Sequence, residues 1–476
     1  MTSSQEKRNN MEFETIIGLE FHLEMKTNSK MFSTAPVTFG DAPNTHVAFL
    51  DMAFPGTLPL VNKQAVINAI RVCAALHMSI DNELWFDRKN YFYSDLPKGY
   101  QITQERRPIG RNGYLDIDGK RINIEKLHIE EDTCKQLHMS DYSLLDFNRA
   151  GIPLLEIVTQ PEIRSGKEAM EFADKIRSVV TFLDVSDGKM EQGSMRCDVN
   201  ISIREKGSKR FGPKVEIKNL NSISNIQKAI DYEIQRQKDL VTKGEKIIQE
   251  TRRFDEKSKK TVPMRIKVDS IDYKFFFDAN IVPIRLSQDF IDSTIKASPE
   301  LAEVKLERYL RLGIKESQCS TLLASKEMSD YFDEVLKTGA DPILAANWMT
   351  VDVKAVLNKR DIEINDFPIE PVRLGQMIAL IKDGKINNKQ GRELFNKMLS
   401  SKESPSSFIK NDVVSEEEIK KCIEEIINKS PQCIDDYKNG KDKVIGFIVG
   451  QVLKVMGGEV NPNLTNRLVQ EELKRR

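Results

Sequence analysis

The chain is 476 residues long, too long for one hydrophobic core, and two to four domains are expected. Hydrophobic residues make up 39% and charged residues 30%, and no apolar run approaches the ~20 residues of a membrane-spanning helix, so disordered and membrane classes are excluded. Lys plus Arg and Asp plus Glu both number 72, so no net field steers a polyanion, and any nucleic-acid surface has to be a local patch.

The opening MTSSQEKRNN lacks the apolar stretch of a signal peptide, and residues 1–11 read as a disordered leader. Strict alternation follows. As a β-strand, Gly18-Leu19-Glu20-Phe21-His22-Leu23-Glu24-Met25 puts Glu20, His22 and Glu24 on one face and Leu19, Phe21, Leu23 and Met25 on the other. The apolar face can bury in a core. The polar face sets two carboxylates beside an imidazole, which repel unless something positive sits among them. A divalent cation meets that need. On this stretch alone, an edge strand with a solvated acidic face fits equally well. Residues 62–78 have helical spacing, with Ala65, Ile67, Ile70, Val72 and Leu76 on the apolar side, and 84–93 (LWFDRKNYFY) reads as a strand.

His128-Ile129-Glu130-Glu131-Asp132 holds three consecutive acids, which cannot all point into a core; taken singly, the run reads as an exposed acidic turn. Glu156 lies inside the apolar run Ile152–Val158, where a carboxylate has to be metal-bound or paired, for instance with Arg149. Acids from three segments, one with an adjacent His, suffice for one divalent site. Because imidazole is not a typical magnesium ligand, that ligand set suits manganese or zinc as well as magnesium.

A helix is expected from Ser165, with Ser165 and Glu168 as a capping box and Phe172, Ile176, Val179 and Val180 as its apolar face. Residues 195–204 alternate without error, with Met195, Cys197, Val199, Ile201 and Ile203 opposite Arg196, Asp198, Asn200, Ser202 and Arg204. A cation, an anion and an amide in line can orient a phosphate or carboxylate. Lys214, Glu216 and Lys218 share a face, a helix runs from Ile223 to Val241, and strand-like pieces return at 246–254 and 271–277. Polar runs of this kind, including Glu250-Thr251-Arg252-Arg253-Phe254-Asp255, are singly more often solvated sheet faces; their clustering is what favours function. Strands and helices interleave without a βαβ repeat, which predicts an α+β fold with a mixed, largely antiparallel sheet.

After Ser298 the strand signals fade into amphipathic helices: SPELAEVKLERYLRLGI, KEMSDYFDEVLKTG, ILAANWMTVDVKAVLNK and VRLGQMIALIKDG. SSKESPSS at 400–407 is the best linker, and short helices follow to the basic VQEELKRR. The expected division is an α+β domain over 12–295, a helical domain with linker over 296–407 and a small helical tail over 408–476. P-loop, dinucleotide-binding and nucleophile-elbow motifs are absent, so any phosphate handling has to use strand-borne Arg and Lys with a metal. Six scattered cysteines with no C-x-x-C pair argue against a zinc ribbon or disulfide framework and for a reducing, cytoplasmic setting.

Together, IIGLEFHLEMKTNSKMFS (16–33), FPGTLPLVN (54–62), DRKNYFYSDLPKGYQITQ (87–104), HIEED (128–132), NRAGIPLLEIV (148–158), VSDGKMEQGSMRCDVNISIR (185–204), KVEIKNLNS (214–222) and QETRRFDE (249–256) resemble the B-subunit family of aspartyl/glutamyl-tRNA(Asn/Gln) amidotransferases. The resemblance runs over nearly the whole chain. It implies the kinase half of a glutamine-dependent ligase that binds Glu-tRNA(Gln) or Asp-tRNA(Asn). ATP and Mg²⁺ would serve to phosphorylate the side-chain carboxylate, and a glutaminase A subunit would supply ammonia through a tunnel. A small C subunit would brace the complex. The resemblance also implies a cradle domain that binds ATP and metal, a helical domain and a tRNA-contacting tail. The family's metal site maps onto Glu20, His22, Glu131 and Glu156, and its metal is Mg²⁺. Arg196, Lys214 and Lys218 are expected at phosphate or acyl groups from their charge alone. A non-catalytic tRNA-binding scaffold of the same fold is the alternative, against which the intact Glu20, His22, Glu131 and Glu156 speak. The related archaeal subunit carries a large insertion for which this chain is too short.

Some residues depart from the family pattern. AFLDMAFPG (48–56) stands where many members have a Cys-Pro-x-Cys pair, which rules out a zinc site there. Asp132-Thr133-Cys134-Lys135 replaces the customary acidic-Ala-Gly-Lys, and Phe21 and Leu23 stand where Val is common. Lys274 replaces an Arg, and Phe277 a Pro, so bidentate anion contact at Lys274 is in doubt.

Overall fold

The computed structural model describes residues 11–266, 272–408, 415–438, 441, 443–456, 460 and 462–476. The expected leader therefore lies almost wholly outside the described residues. The chain divides into two compact units, one ending at Ala302 and the other beginning at Glu303.

The first unit begins with β1 (Phe13–Glu24), α1 (Lys63–Ala75), β2 (Ser79–Ile80), β3 (Glu83–Leu84), β4 (Asp87–Asn90), β5 (Tyr100–Thr103), β6 (Gly110–Ile117) and β7 (Lys120–Glu131). It continues with β8 (Lys135–His138), β9 (Ser143–Asp146), β10 (Pro153–Thr159), α2 (Gly166–Phe182), β11 (Met195–Glu205), β12 (Val215–Lys218) and α3 (Ile223–Lys243). It closes with β13 (Glu250–Asp255), β14 (Lys260–Ile266), β15 (Phe276–Phe277), β16 (Ile284–Arg285) and α4 (Gln288–Lys296). Nine strands form one sheet in the order β14-β13-β12-β11-β1-β10-β7-β6-β2. Only the β12–β13 pair is parallel, so the sheet is mixed and largely antiparallel.

The period-two pattern decides which side is core. Leu19, Phe21 and Leu23 of β1, Leu127 and Ile129 of β7, Leu155 and Ile157 of β10, and Cys197, Val199 and Ile201 of β11 are all buried in one cluster. α1, α2 and α3 cover that face with Ile70, Phe172, Ile176, Ile226 and Ile230, and the Phe21 and Phe172 rings meet at 6.0 Å. The bulkier Phe21 and Leu23 are thus core residues. The opposite face keeps the polar residues.

Local signals act as the sequence predicts, with exceptions. Asn62 caps α1 by accepting the Gln64 and Ala65 amides. Ser165 Oγ accepts the Glu168 amide, but the capping box is only half formed, because the Glu168 carboxylate is taken by Lys120 and the Arg164 amide. The strand expected over 84–93 is divided. β3 pairs with β16 and β4 with β5 and β15, so the chain changes sheets between Leu84 and Asp87. Of the strand expected over 271–277, residue 271 lies outside the described residues and Phe276–Phe277 is paired.

The second unit is helical and has two hydrophobic clusters. One holds Tyr309, Phe332, Trp348, Leu374 and Phe395; the other holds Ile419, Ile423, Ile448, Val452 and Leu468. The helix expected over 343–359 is interrupted by a π-helical turn at Met349–Val353, between helices Pro342–Trp348 and Lys354–Arg360. The Ser-rich stretch at 400–407 is anchored at its start, since the buried Arg373 donates to the carbonyls of Ser401 and Glu403. Among the described residues, no helix is long and apolar enough to cross a membrane.

Candidate active site

Antiparallel register assembles the site. His22 on β1 lies opposite Glu156 on β10 and Arg196 on β11, Glu20 lies opposite Asp198, and Glu156 lies opposite His128 on β7. Because directly opposed residues point the same way, segments far apart in sequence share one polar floor. His22 Nε2 is 3.5 Å from Glu156 Oε2, 3.7 Å from Glu20 Oε1 and 3.9 Å from Glu130 Oε1. His128 Nε2 is 3.0 Å from Glu156 Oε2 and 3.6 Å from Glu130 Oε2, and the Thr103 hydroxyl donates to Glu130 at 3.3 Å.

The electrostatics follow from burying several carboxylates together. Burial opposes a charged imidazole, yet Glu156, Glu130 and Glu20 outweigh it and push His22 up to about 8. Burial likewise opposes charge on His128, but Glu156 and Glu130 push it up to about 10. Burial works against ionisation of Glu156, while His128 and His22 hold it well below the usual carboxylate range. Glu20 is raised by burial and by Glu156. The acids around them thus favour positive charge on both imidazoles.

A cation can supply that positive charge. Two triads, Glu20/His22/Asp198 and His22/Glu130/Glu156, each bring their ligand atoms within 4.8 Å of one another. The carboxylates stand 3.5–3.9 Å from His22 Nε2, beyond hydrogen-bond contact, which suits an ion bound at ~2.0–2.6 Å from each ligand. His128 Nδ1 is buried with no hydrogen-bond partner. Carboxylate oxygens with imidazole nitrogen fit a divalent ion.

Of the four ligands expected from the resemblance, the structure brings together Glu20, His22 and Glu156. Glu131 it does not bring in. The β pleat places Glu130 on the face of His128, while Glu131 accepts from Lys98 and, at 3.0 Å, from the Ile102 amide. Arg196 is on the floor but donates to the buried Asp132 at 2.5 Å. Lys218 is ion-paired to Asp198 at 2.5 Å and Glu216 at 3.2 Å. Lys214 lies just before β12, exposed, and is not joined to the cluster.

Glu130, His128 and Asp198 lie in runs that the sequence singles out but are not among the four ligands that the resemblance implies, and Thr103 and Lys89 are not assigned to the site by the sequence at all. Choosing Glu130 over Glu131 needs the β7–β10 register. Lys89, on β4, is raised by Glu130, Glu156 and Glu20 against the opposing effect of burial. At the end of β1, burial and Asp132 push Glu24 up to about 8. Burial opposes ionisation of Asp132, but Arg196 and Arg149 keep it lowered. A cavity of about 1180 Å³ opens there, lined among others by Glu24, Lys26, Arg71, Arg149 and Ser194.

Comparison with known proteins is consistent over both units. Residues 15–292 match the family model described as the GatB/GatE catalytic domain, and residues 330–473 match the one described as the GatB domain. The aspartyl/glutamyl-tRNA(Asn/Gln) amidotransferase B subunit of Lysinibacillus sphaericus is 44% identical over 475 residues, 98% of this chain and 100% of that protein. Proteins of the same name from Bacillus cytotoxicus and Staphylococcus aureus are also 44% identical, over 98% of this chain and 100% of theirs. With identity at this level over the full length, and one family model covering more than half of the sequence, the chain belongs to the B-subunit family of aspartyl/glutamyl-tRNA(Asn/Gln) amidotransferases.

Proposed function

We propose that this chain is the component of a glutamine-dependent tRNA amidotransferase that activates the side-chain carboxylate of Asp-tRNA(Asn) or Glu-tRNA(Gln) with ATP, in the cytoplasm. A carboxylate is a poor electrophile, because its charge repels a nucleophile and oxide is a poor leaving group. Transfer of the γ-phosphoryl group to a carboxylate oxygen gives an acyl phosphate and ADP. Ammonia, released from glutamine by the A subunit, then attacks the acyl carbon. Phosphate leaves with the C–O electron pair, and the amide remains after loss of a proton. The assembly is braced by the C subunit.

Both steps crowd anions together, so the site has to supply positive charge and hold groups in line. The observation that carries the reading is the convergence of His22, Glu130, Glu156, Glu20 and Asp198 on one sheet face in a chain of this family. We read His22, Glu130 and Glu156 as the holders of Mg²⁺, with Glu20 and Asp198 beside them. When bound, that ion neutralises phosphoryl oxygens. Arg196, fixed by Asp132, and Lys218, fixed by Asp198 and Glu216, stay part-exposed on the same face and keep N–H donors for phosphate or acyl oxygens. Lys214 is the outermost of these cations. Domain roles follow the same reading, with residues 12–295 as the catalytic cradle, 296–407 as a helical domain and 408–476 as the tRNA-contacting tail.

The test is to co-express the chain with its A and C partners and supply glutamine, ATP and each mischarged tRNA. ATP-dependent amidation of at least one is expected, falling at least about a hundred-fold in Glu156→Gln. Manganese binding by the complex separates the two β7 acids: Glu130→Gln is expected to weaken it and Glu131→Gln to retain it, and the reverse pattern returns the ligand to Glu131. Binding of tRNA without any ATP-dependent amidation by the unaltered complex sinks the kinase reading and leaves the scaffold.

A further inference from the structure

Next to the carboxylate floor, the segments that follow β4 and precede β15 in the small sheet β15-β4-β5 carry a run of aromatic rings that the activation chemistry does not use. Tyr93, Tyr91, Tyr273 and Phe275 follow one another edge to face, with ring centres 5.9, 5.9 and 6.0 Å apart. Phe92 is 92% exposed and Tyr93 58% exposed, values unusual for large rings in a folded domain. The backbone that presents them is closed tightly. The Tyr91 amide donates to the Gly99 carbonyl at 3.1 Å, and a methyl group on Gly99 would stand 3.3 Å from the Phe92 ring, so that left-handed glycine (φ +71°) leaves room for it.

Cations interleave with the rings. Lys89 Nζ is 5.1 Å from the centre of Tyr273, Arg88 sits 4.2 Å over Tyr100 and 5.8 Å from Phe276, and Lys98 Nζ is 5.7 Å from Tyr100. Acids lie among them: Asp87, Asp95 and Asp272 in the same segments, Asp278 ion-paired with Arg88 at 3.0 Å, and Glu131 with Lys98. The ledge adjoins the floor through β5, which pairs with β4 and whose Thr103 hydroxyl donates to Glu130 at 3.3 Å. Rings alternating with Lys and Arg are the chemistry that holds an unpaired nucleic-acid strand, with bases on the π faces and cations on the backbone. A single adenine, as in ATP, needs one slot; this run is longer than one base, exposed at Phe92 and Tyr93 and half-buried at Tyr91, Tyr273 and Phe275.

We propose that the ledge formed by Phe92, Tyr93, Tyr91 and Tyr273 stacks the unpaired 3′-terminal nucleotides of the charged tRNA and so delivers the aminoacyl carboxylate to the floor. The inference rests on aminoacyl-tRNA being the substrate. Its test uses the assembled complex with Phe92→Ala and Tyr93→Ala combined, since both side chains are exposed and co-elution with the A and C partners reports intact folding. The KM for mischarged tRNA is expected to rise about ten-fold, the loss of stacking on one or two bases, while the KM for ATP holds. Phe92→Trp with Tyr93→Phe retains the original KM. In filter binding, the preference of the unaltered complex for intact tRNA over tRNA lacking its last three nucleotides disappears in the alanine variant. A rise in the KM for ATP alone, loss of co-elution with either partner, or unchanged constants each overturn the proposal. Amidation by the unaltered complex in the same assay separates such a failure from failure of the substrate reading.

Discussion

His22 and His128 are the imidazoles that the buried acids raise, and the sign of that shift fixes a pH dependence. Folding raises both above the ordinary imidazole value of about 6.5, His22 to about 8 and His128 to about 10. Their stabilising contribution is therefore complete below about 6.5 and is lost as pH rises through 8 and then 10. Glu156 behaves oppositely, because its lowered value makes its contribution present at neutral pH and lost on acidification. With divalent cations chelated, urea midpoints are expected to fall as pH rises from about 6.5 to 9. A cation competes with the same protons, so manganese affinity measured by titration calorimetry is expected to tighten over that range. A flat midpoint across the range would show that these imidazoles do not carry the charge.

At the scale of elements, alternation made β1 and β11 legible, because a strand with one buried face has to repeat every second residue. The faces drawn for Leu19–Met25 and Met195–Arg204 are the ones observed. The polar run at 250–255 had a different outcome. Arg252 turns away from solvent and donates to Glu250 at 2.6 Å and to Thr261, beside the fully buried Glu233, which also accepts from Arg236, Gln237 and Thr261. That network ties α3 to β13 and β14. Arg252→Met is expected to lower stability by about 2–4 kcal/mol, because the buried Glu233 and Glu250 would keep only Arg236 as a cation. Chemical denaturation of the purified chain checks this, and a loss under about 1 kcal/mol would return the residue to the solvated class. The helix at 343–359 shows the limit of periodicity: its spacing is unbroken, yet Met349–Val353 forms a π turn, beginning where Trp348 and Met349 are buried in the helical core.

For the whole molecule, the two units and the separate core of the last helices make the tail a candidate for independent removal. Ending the chain at residue 408 is expected to weaken tRNA binding by the complex about ten-fold while leaving the melting of the first unit in place. Filter binding and calorimetry measure the two effects, and unchanged affinity would count against a tRNA role for 408–476. The same segregation explains how the composition can be neutral overall. Charge is sorted by face, not by chain, so a balanced total of 72 and 72 is compatible with a concentrated acidic floor.

Composition and period-two spacing were enough to determine an α+β chain with a largely antiparallel sheet, a helical C-terminal part and polar strand faces carrying Glu20, His22, Glu156, Arg196 and Lys218. These are local properties, set by how each residue meets its neighbours along one strand or helix. Which acids face one another was decided only in three dimensions. The partnering of β7 with β10 puts Glu130 beside His22 and leaves Glu131 with Lys98, and the partnering of β11 with β1 sets Asp198 beside Glu20. Register between strands far apart in sequence is fixed by burial of the whole apolar face at once, and no single stretch of sequence contains that information.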